Sequence, residues 1–213
     1  MTHLHRAIAP LVLSALLGGG AAAPVQAAAI TMPVQCELGA ETVLPWDDVA
    51  YDLRGTCGVV RVTADNSTVT MPSATRLVLD GAGNAVTAKP LAAVVIAGPG
   101  NSVTTPTIQD LSVTGASSTV AVTGLVELAV LGSSSSSLSA DTVNVLRLRG
   151  TDTVTARLAY RTRVTGSGNA LRLTRADRLV LTGDRNAVTV ARGRTTLRDR
   201  GEANVLDLRR RRR

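Results

Sequence analysis

The sequence has no phenylalanine, one tryptophan (Trp46) and two tyrosines (Tyr51 and Tyr160) among its 213 residues. That shortage excludes an interior filled by aromatic rings and leaves Val, Leu, Ile and Ala, which suit a narrow, regularly layered core. Histidine occurs only at His3 and His5, so no imidazole can serve as ligand or general base in the body of the chain. The two cysteines, Cys36 and Cys57, are too few for a thiolate metal cluster. The longest apolar run near the start, Ala7 to Leu17, is too short to span a bilayer, which needs about 20 residues.

What is present near the start has the order of a secretory signal: Arg6, the apolar run, three glycines, then small residues around Ala27. Residues 1–29 are therefore expected to be a signal peptide, cleaved after Ala27 or Ala29, with no transmembrane segment in the mature chain. The destination is the extracellular space or the cell envelope. In such a compartment an even pair of thiols, Cys36 and Cys57, is expected to form one disulfide, which stabilises by roughly 3 kcal/mol in the chain-entropy picture. Residues 30–58 around that disulfide are expected to be an irregular cap, with Trp46 as a plug over the first repeat.

The body, residues 59–208, repeats. Gly81, Gly98, Gly115, Gly132, Gly166 and Gly183 recur on multiples of seventeen, with Asn84, Asn101, Asn169 and Asn186 three places behind. Val69, Val86, Val103, Val120, Val154, Leu171, Val188 and Val205 end the turns at the same period. Two further columns precede each turn. One runs through Leu77, Val94, Leu111, Leu128 and Val145; the other, two places on, runs through Leu79, Ile96, Val113 and Val130. A third, weaker column holds Leu91, Ile108 and Leu125, and single-residue slips fall near Leu146 and Leu197. Spacing of two marks strands with one buried face, and a fixed long period marks units that must stack to bury it. The fold class is all-β, a parallel β-solenoid of about nine coils, the alternative being an antiparallel meander or barrel. Gly81, Asn84, Gly98, Asn101, Gly166, Asn169, Gly183 and Asn186 form the expected turn ladder, since Gly and Asn tolerate positive φ and stacked amides hydrogen-bond. A calcium-binding repeat would need regular aspartate, and this column has only Asp152.

From Leu53 to Met71 the chain reads LRGTCGVVRVTADNSTVTM. With its recurrent Gly-x-Gly-Asn-x-Val-Thr units it resembles the family called domain of unknown function 3060, over roughly Cys36 to Leu208. Those are exported bacterial proteins with an N-terminal cysteine pair, repeated Gly-Asn-x-Val units and no established activity. The resemblance implies that Cys57 is the structural cysteine before the first coil, and it implies no catalytic residue. The serine run 133–137 and the arginine-loaded last coils depart from it.

Charge is unevenly laid out. Residues 30–146 hold four Lys/Arg against ten Asp/Glu, while 147–200 hold thirteen Arg against four Asp. Arg172, Arg175, Arg178, Arg192 and Arg194, with the basic tail Arg209, Arg210, Arg211, Arg212 and Arg213, are the candidate contacts for an anionic polymer, either of the envelope or a nucleic acid. Without aromatic stacking, a single-strand reader of bases is disfavoured. The acids Asp80, Asp110, Glu127, Asp141 and Asp184 share no column, and Ser133 to Ser137 reads as an irregular corner without a base. The chain is therefore expected to be non-enzymatic, with no cofactor: a structural or adhesive surface module, alternatively the polymer binder, alternatively an ice or crystal binder. That last reading uses Thr70, Thr87, Thr104, Thr155 and Thr189, interrupted by Ala121, Ser139 and Arg172. The opposite charges of the two halves raise head-to-tail self-association.

Overall fold

A computed structural model describes residues 31–209. The expected signal peptide and Arg210 to Arg213 lie outside them. Seventeen strands follow in order. The first ten are β1 (Thr31–Cys36), β2 (Glu41–Leu44), β3 (Ala50–Gly55), β4 (Cys57–Val62), β5 (Thr68–Met71), β6 (Ala74–Leu79), β7 (Ala85–Ala88), β8 (Leu91–Ile96), β9 (Ser102–Thr105) and β10 (Ile108–Val113). Four long strands that bend through a whole coil come next: β11 (Thr119–Leu131), β12 (Ser134–Leu148), β13 (Thr151–Val164) and β14 (Ala170–Leu181). The last three are β15 (Ala187–Val190), β16 (Thr196–Asp199) and β17 (Val205–Leu208).

Every pairing among them is parallel, which removes the meander and the barrel. The chain is a parallel β-solenoid of about ten turns with a repeat of about seventeen residues. No helix among the described residues is long and apolar enough to cross a membrane.

One coil shows why the sequence folds this way. Val86, Ala88, Leu91, Val94 and Ile96 are buried, at steps of two, three, three and two. A step of two is a strand, and each step of three turns the chain by one bend, at Lys89-Pro90 and at Ala92-Ala93. The next coil repeats the steps, so like residues stack: Val86 on Val103, Leu91 on Ile108, Val94 on Leu111. Each buried branched side chain adds roughly 1.5–3 kcal/mol, but only because a neighbouring coil covers it.

The turn after Ile96 carries two distinct demands. A side chain at Gly98 would fall on the carbonyl oxygen of Gly81, and Gly115 meets Gly98 in the same way. The glycine column thus exists because coils touch there, not because of its φ. Positive φ belongs to the column just before the asparagines, at Asn66, Gly83, Gly100, Ser117, Ser135, Gly168, Arg185 and Ala203. This corrects the expectation that the repeated Gly and Asn themselves turn the chain.

Other expectations change as well. The described part of the expected cap, residues 31–58, is not irregular: β1 stacks on β3 and β2 on β4 in the register of the later coils. Trp46 is 63% exposed and plugs nothing. Tyr51 fills that end of the core, its hydroxyl donating to Trp46 O (2.9 Å) and accepting from Trp46 N–H (2.8 Å). An extra residue at Gly124 moves Val126, Ala129 and Leu131 into the core, so Leu125, Leu128 and Val130 face outward or lie at the boundary. Val145 follows them, Leu146 taking the inward place. The coil then loses one residue between Ser134 and Ser137, which restores the register. A further extra residue before β16 puts Leu206, not Val205, above Val188. The disulfide Cys36–Cys57 forms as expected and ties β1 to β4. Buried disulfides belong to an oxidising, non-cytoplasmic environment.

Candidate polyanion interface

The asparagine column is a hydrogen-bonded spine inside the solenoid. Ser67 N–H donates to Asn84 Oδ1 and Asn84 N–H to Asn101 Oδ1, both at 2.9 Å. Asn101 Nδ2 also donates to the carbonyls of Gly81 and Gly98, at 2.8 Å each. Amide-to-amide bonds appear in the last coils, from Asn169 to Asn186 (2.9 Å) and from Asn186 to Asn204 (3.1 Å). Ser67, Asn84, Asn101, Asn169 and Asn186 are buried, so they brace the corner and are not offered to a ligand, while Asn204 in the last coil is half-buried.

The serine run belongs to this spine. Ser136 is 1% exposed; it accepts from Ser118 N–H (3.0 Å) and donates to Gly115 O (3.0 Å). It holds the place that the strict period assigned to Ser135; Ser134 to Ser137 belong to β12, yet Ser135 has positive φ and the register shifts within the run, so an irregular corner lies here as expected. One coil on, Asp152 stands where the others have an amide. Its Oδ1 accepts from Ser133 Oγ (2.6 Å) and Ser136 N–H (3.2 Å), while Oδ2 is buried without a partner. Burial pushes its carboxyl above the usual range, against the opposing effect of the Ser133 and Ser136 hydrogen bonds. Ser133 and Asp152 are both buried, out of reach of any external substrate.

Arginines behave differently in the two halves. In the acidic half Arg61 lies between Glu41 (2.7 Å) and Asp80 (2.5 Å). At the start of the basic half Arg157 reaches back to Asp141 through two nitrogens, at 2.6 and 2.9 Å, and holds that carboxyl below its ordinary range. In the basic half a cluster has no such partners. Arg147 stacks beside Arg163, and Arg161 beside Arg178, on adjacent rungs of β12, β13 and β14. Arg198 and Arg200 join from β16 and the residue after it. All six are exposed and line one groove of about 320 Å³, and among the described residues none is in an ion pair. Val145, Val180 and Thr182 lie between them, with buried Thr162 beneath.

The spacing follows from the fold. Neighbouring rungs set like residues about 4.8 Å apart, and alternate residues on a strand about 6.6 Å apart. The rungs therefore set the arginine backbone positions on a two-dimensional grid. Like charges directly opposite on neighbouring strands are destabilising by roughly 0.2–1 kcal/mol a pair. A grid of this kind is built to be neutralised from outside, and Arg presents paired donors to carboxylate or phosphate oxygens.

Of the arginines singled out in the sequence, only Arg178 is in this groove. Arg172 projects from the other side of the coil, in register with Thr155 and Thr189. Arg175 sits at a bend opposite Leu158, and Arg192 and Arg194 lie in the loop between β15 and β16. Arg209 lies 3.6 Å from Asp207. Arg147, Arg161, Arg163, Arg198 and Arg200 had been counted only as charge. Their signal was the outward pairing of Arg161 with Arg163, two apart, repeated at seventeen by Arg178. The threonine row does stack through Thr70, Thr87 and Thr104, then breaks at Ala121 and Arg172. Among the described residues no group of three or more acidic, Cys or His side chains could hold a metal ion. No family model matches the chain, and neither a curated protein nor a solved structure matches it.

Proposed function

We propose that this is an exported, non-enzymatic β-solenoid that binds an anionic polymer, of the cell envelope in the first instance, through its arginine groove. The observation that carries this reading is the set of six exposed arginines, Arg147, Arg161, Arg163, Arg178, Arg198 and Arg200, facing one groove without acidic partners. A stiff stack of coils suits the role. The strands that carry the arginines keep their spacing without the ligand, so no backbone ordering entropy is lost on binding. The same rigidity would suit a surface module, and the Gly-Asn-x-Val units are what the chain shares with the domain of unknown function 3060 proteins it resembles.

The test is retention on a polyanion matrix across a salt gradient, for three proteins in parallel. These are the unaltered chain, a chain lacking Arg209 to Arg213, and a chain carrying Arg161→Ser, Arg163→Ser and Arg178→Ser. The groove variant is expected to elute at much lower salt than the other two, which stay close together. Equal elution of the groove variant and the unaltered chain would sink the proposal, as would elution of all three at low salt.

A further inference from the structure

The last coil leaves the core open. Leu197 is 36% exposed, and Leu206 and Leu208 are half-buried, whereas Leu179, Val188 and Val190 one coil earlier are covered. Val190, Leu197, Leu206 and Leu208 line a depression of about 290 Å³, with Arg209 at its rim. The outer edges of β16 and β17 have no strand partner among the described residues. At the other end the outer edges of β1 and β2 are equally free, with Met32 and Val34 half-buried behind them. The column that begins at Met32 passes through Tyr51 and Val69 and ends at Val188 and Leu206. A first coil laid on a last coil therefore meets the cross-section that an ordinary preceding coil presents.

The charges of the two ends are opposite. Glu37, Glu41, Asp47, Asp48, Asp52 and Asp65 outnumber Arg54 and Arg61 in the first coils. Arg192, Arg194, Arg198, Arg200 and Arg209 outnumber Asp199, Glu202 and Asp207 in the last, ahead of four more arginines in the sequence. Like ends repel and unlike ends attract. We propose that the C-terminal end of the solenoid docks the N-terminal end of a second copy, continuing the parallel ladder from one molecule to the next. Such a contact is heterologous and does not close, so it grows as a linear stack.

Pro33 limits its strength. It stands in register with Asp52 and so with Thr70. Two residues before Thr70, Thr68 donates its N–H backward to Val49 O, and by strand alternation so does Thr70's position. At the first coil that direction is the open edge, where proline has no N–H to give. The junction lacks one main-chain bond and is therefore reversible and salt-sensitive. This inference does not depend on the polymer-binding reading, because the residues that test it lie outside the arginine groove.

Sedimentation velocity of the purified protein over a concentration series, at low and at high salt, reads it directly. At low salt the average mass should climb past that of a dimer with concentration, and at high salt it should return to the monomer. Two charge-reversed proteins sharpen the test: Arg192→Glu with Arg194→Glu, and separately Asp47→Lys with Asp48→Lys. All four positions are exposed, so folding should survive. Each variant alone should associate more weakly than the unaltered protein at low salt, since each substitution lowers the charge difference between the two ends. A monomer of the unaltered protein at every concentration in low salt, growth that stops at two, or variants that grow as readily as the unaltered protein would overturn the proposal.

Discussion

Among the described residues Asp152 and Thr162 are the two buried side chains with an orphaned oxygen, and each ties a stability prediction to one atom. The folded chain holds the Asp152 proton more tightly than the unfolded chain does, because burial raises its folded value. The resulting penalty is absent in acid, below the unfolded value of 3.8, and grows as pH rises through the raised folded value. Asp152→Asn should therefore be more stable than the unaltered protein at neutral pH, with the gap closing in acid. Urea unfolding at both pH values checks it, and a constant gap would argue against the burial effect. An amide at 152 would also place a donor where Oδ2 now has no partner, as Asn101 does toward Gly81. Thr162 sits between Leu146 and Leu179 in an otherwise apolar column. Thr162→Val keeps the shape and removes the unpaired hydroxyl, so a gain of about 1–3 kcal/mol in the same assay is expected. Neither effect was legible in the sequence, where Asp152 read only as a break in an asparagine column. Burial of that column emerges only when the turns close.

At the scale of the strand and its turn, the spine explains the period. Asn101→Ala would leave Asn84 N–H and the carbonyls of Gly81 and Gly98 without partners at a buried corner. A loss of at least about 2–3 kcal/mol is expected, from an unpaired cost of roughly 1–3 kcal/mol per buried group. Asn204→Ala, at the frayed end, should cost clearly less, and equal losses would count against a buried spine. The repeat made parallel stacking legible, because Val86, Val103 and Val120 lie seventeen apart and are paired in that register. It failed where the coil length changes. Stepping strictly by seventeen placed Leu128, Val130 and Val145 inside, but the residue gained at Gly124 turns all three away from the core. The compensating loss of one residue a coil later separates Arg147 from its neighbour Arg163 by sixteen, which hid the arginine grid. Side-chain columns are set by rung pairing, and one inserted residue moves every later member to the opposite face.

For the molecule as a whole, repeats that touch only their neighbours predict local failure. Replacing Cys36 and Cys57 with alanine should loosen β1 and β2, with amide exchange rising there and the coils from β5 onward still protected. Loss of protection along the entire ladder would mean that the disulfide holds more than its own coil. The division into an acidic and a basic half was visible from counting charges, but the useful arginines were not. Charge totals ignore which side of a strand a residue faces, so the tail and the loop arginines weighed as much as Arg161 and Arg163. The most direct measurement is the salt dependence of binding to a phosphate polymer, for the unaltered protein and for one carrying Arg161→Ser with Arg163→Ser. If the whole groove is used, six contacts give a slope of log K against log salt near −4, at about −0.7 per contact on a flexible strand. The variant should then show a slope shallower by about 1.4, since two contacts are lost. An identical slope in both proteins, or no binding at low salt, would contradict the assignment of this groove as the polymer's site.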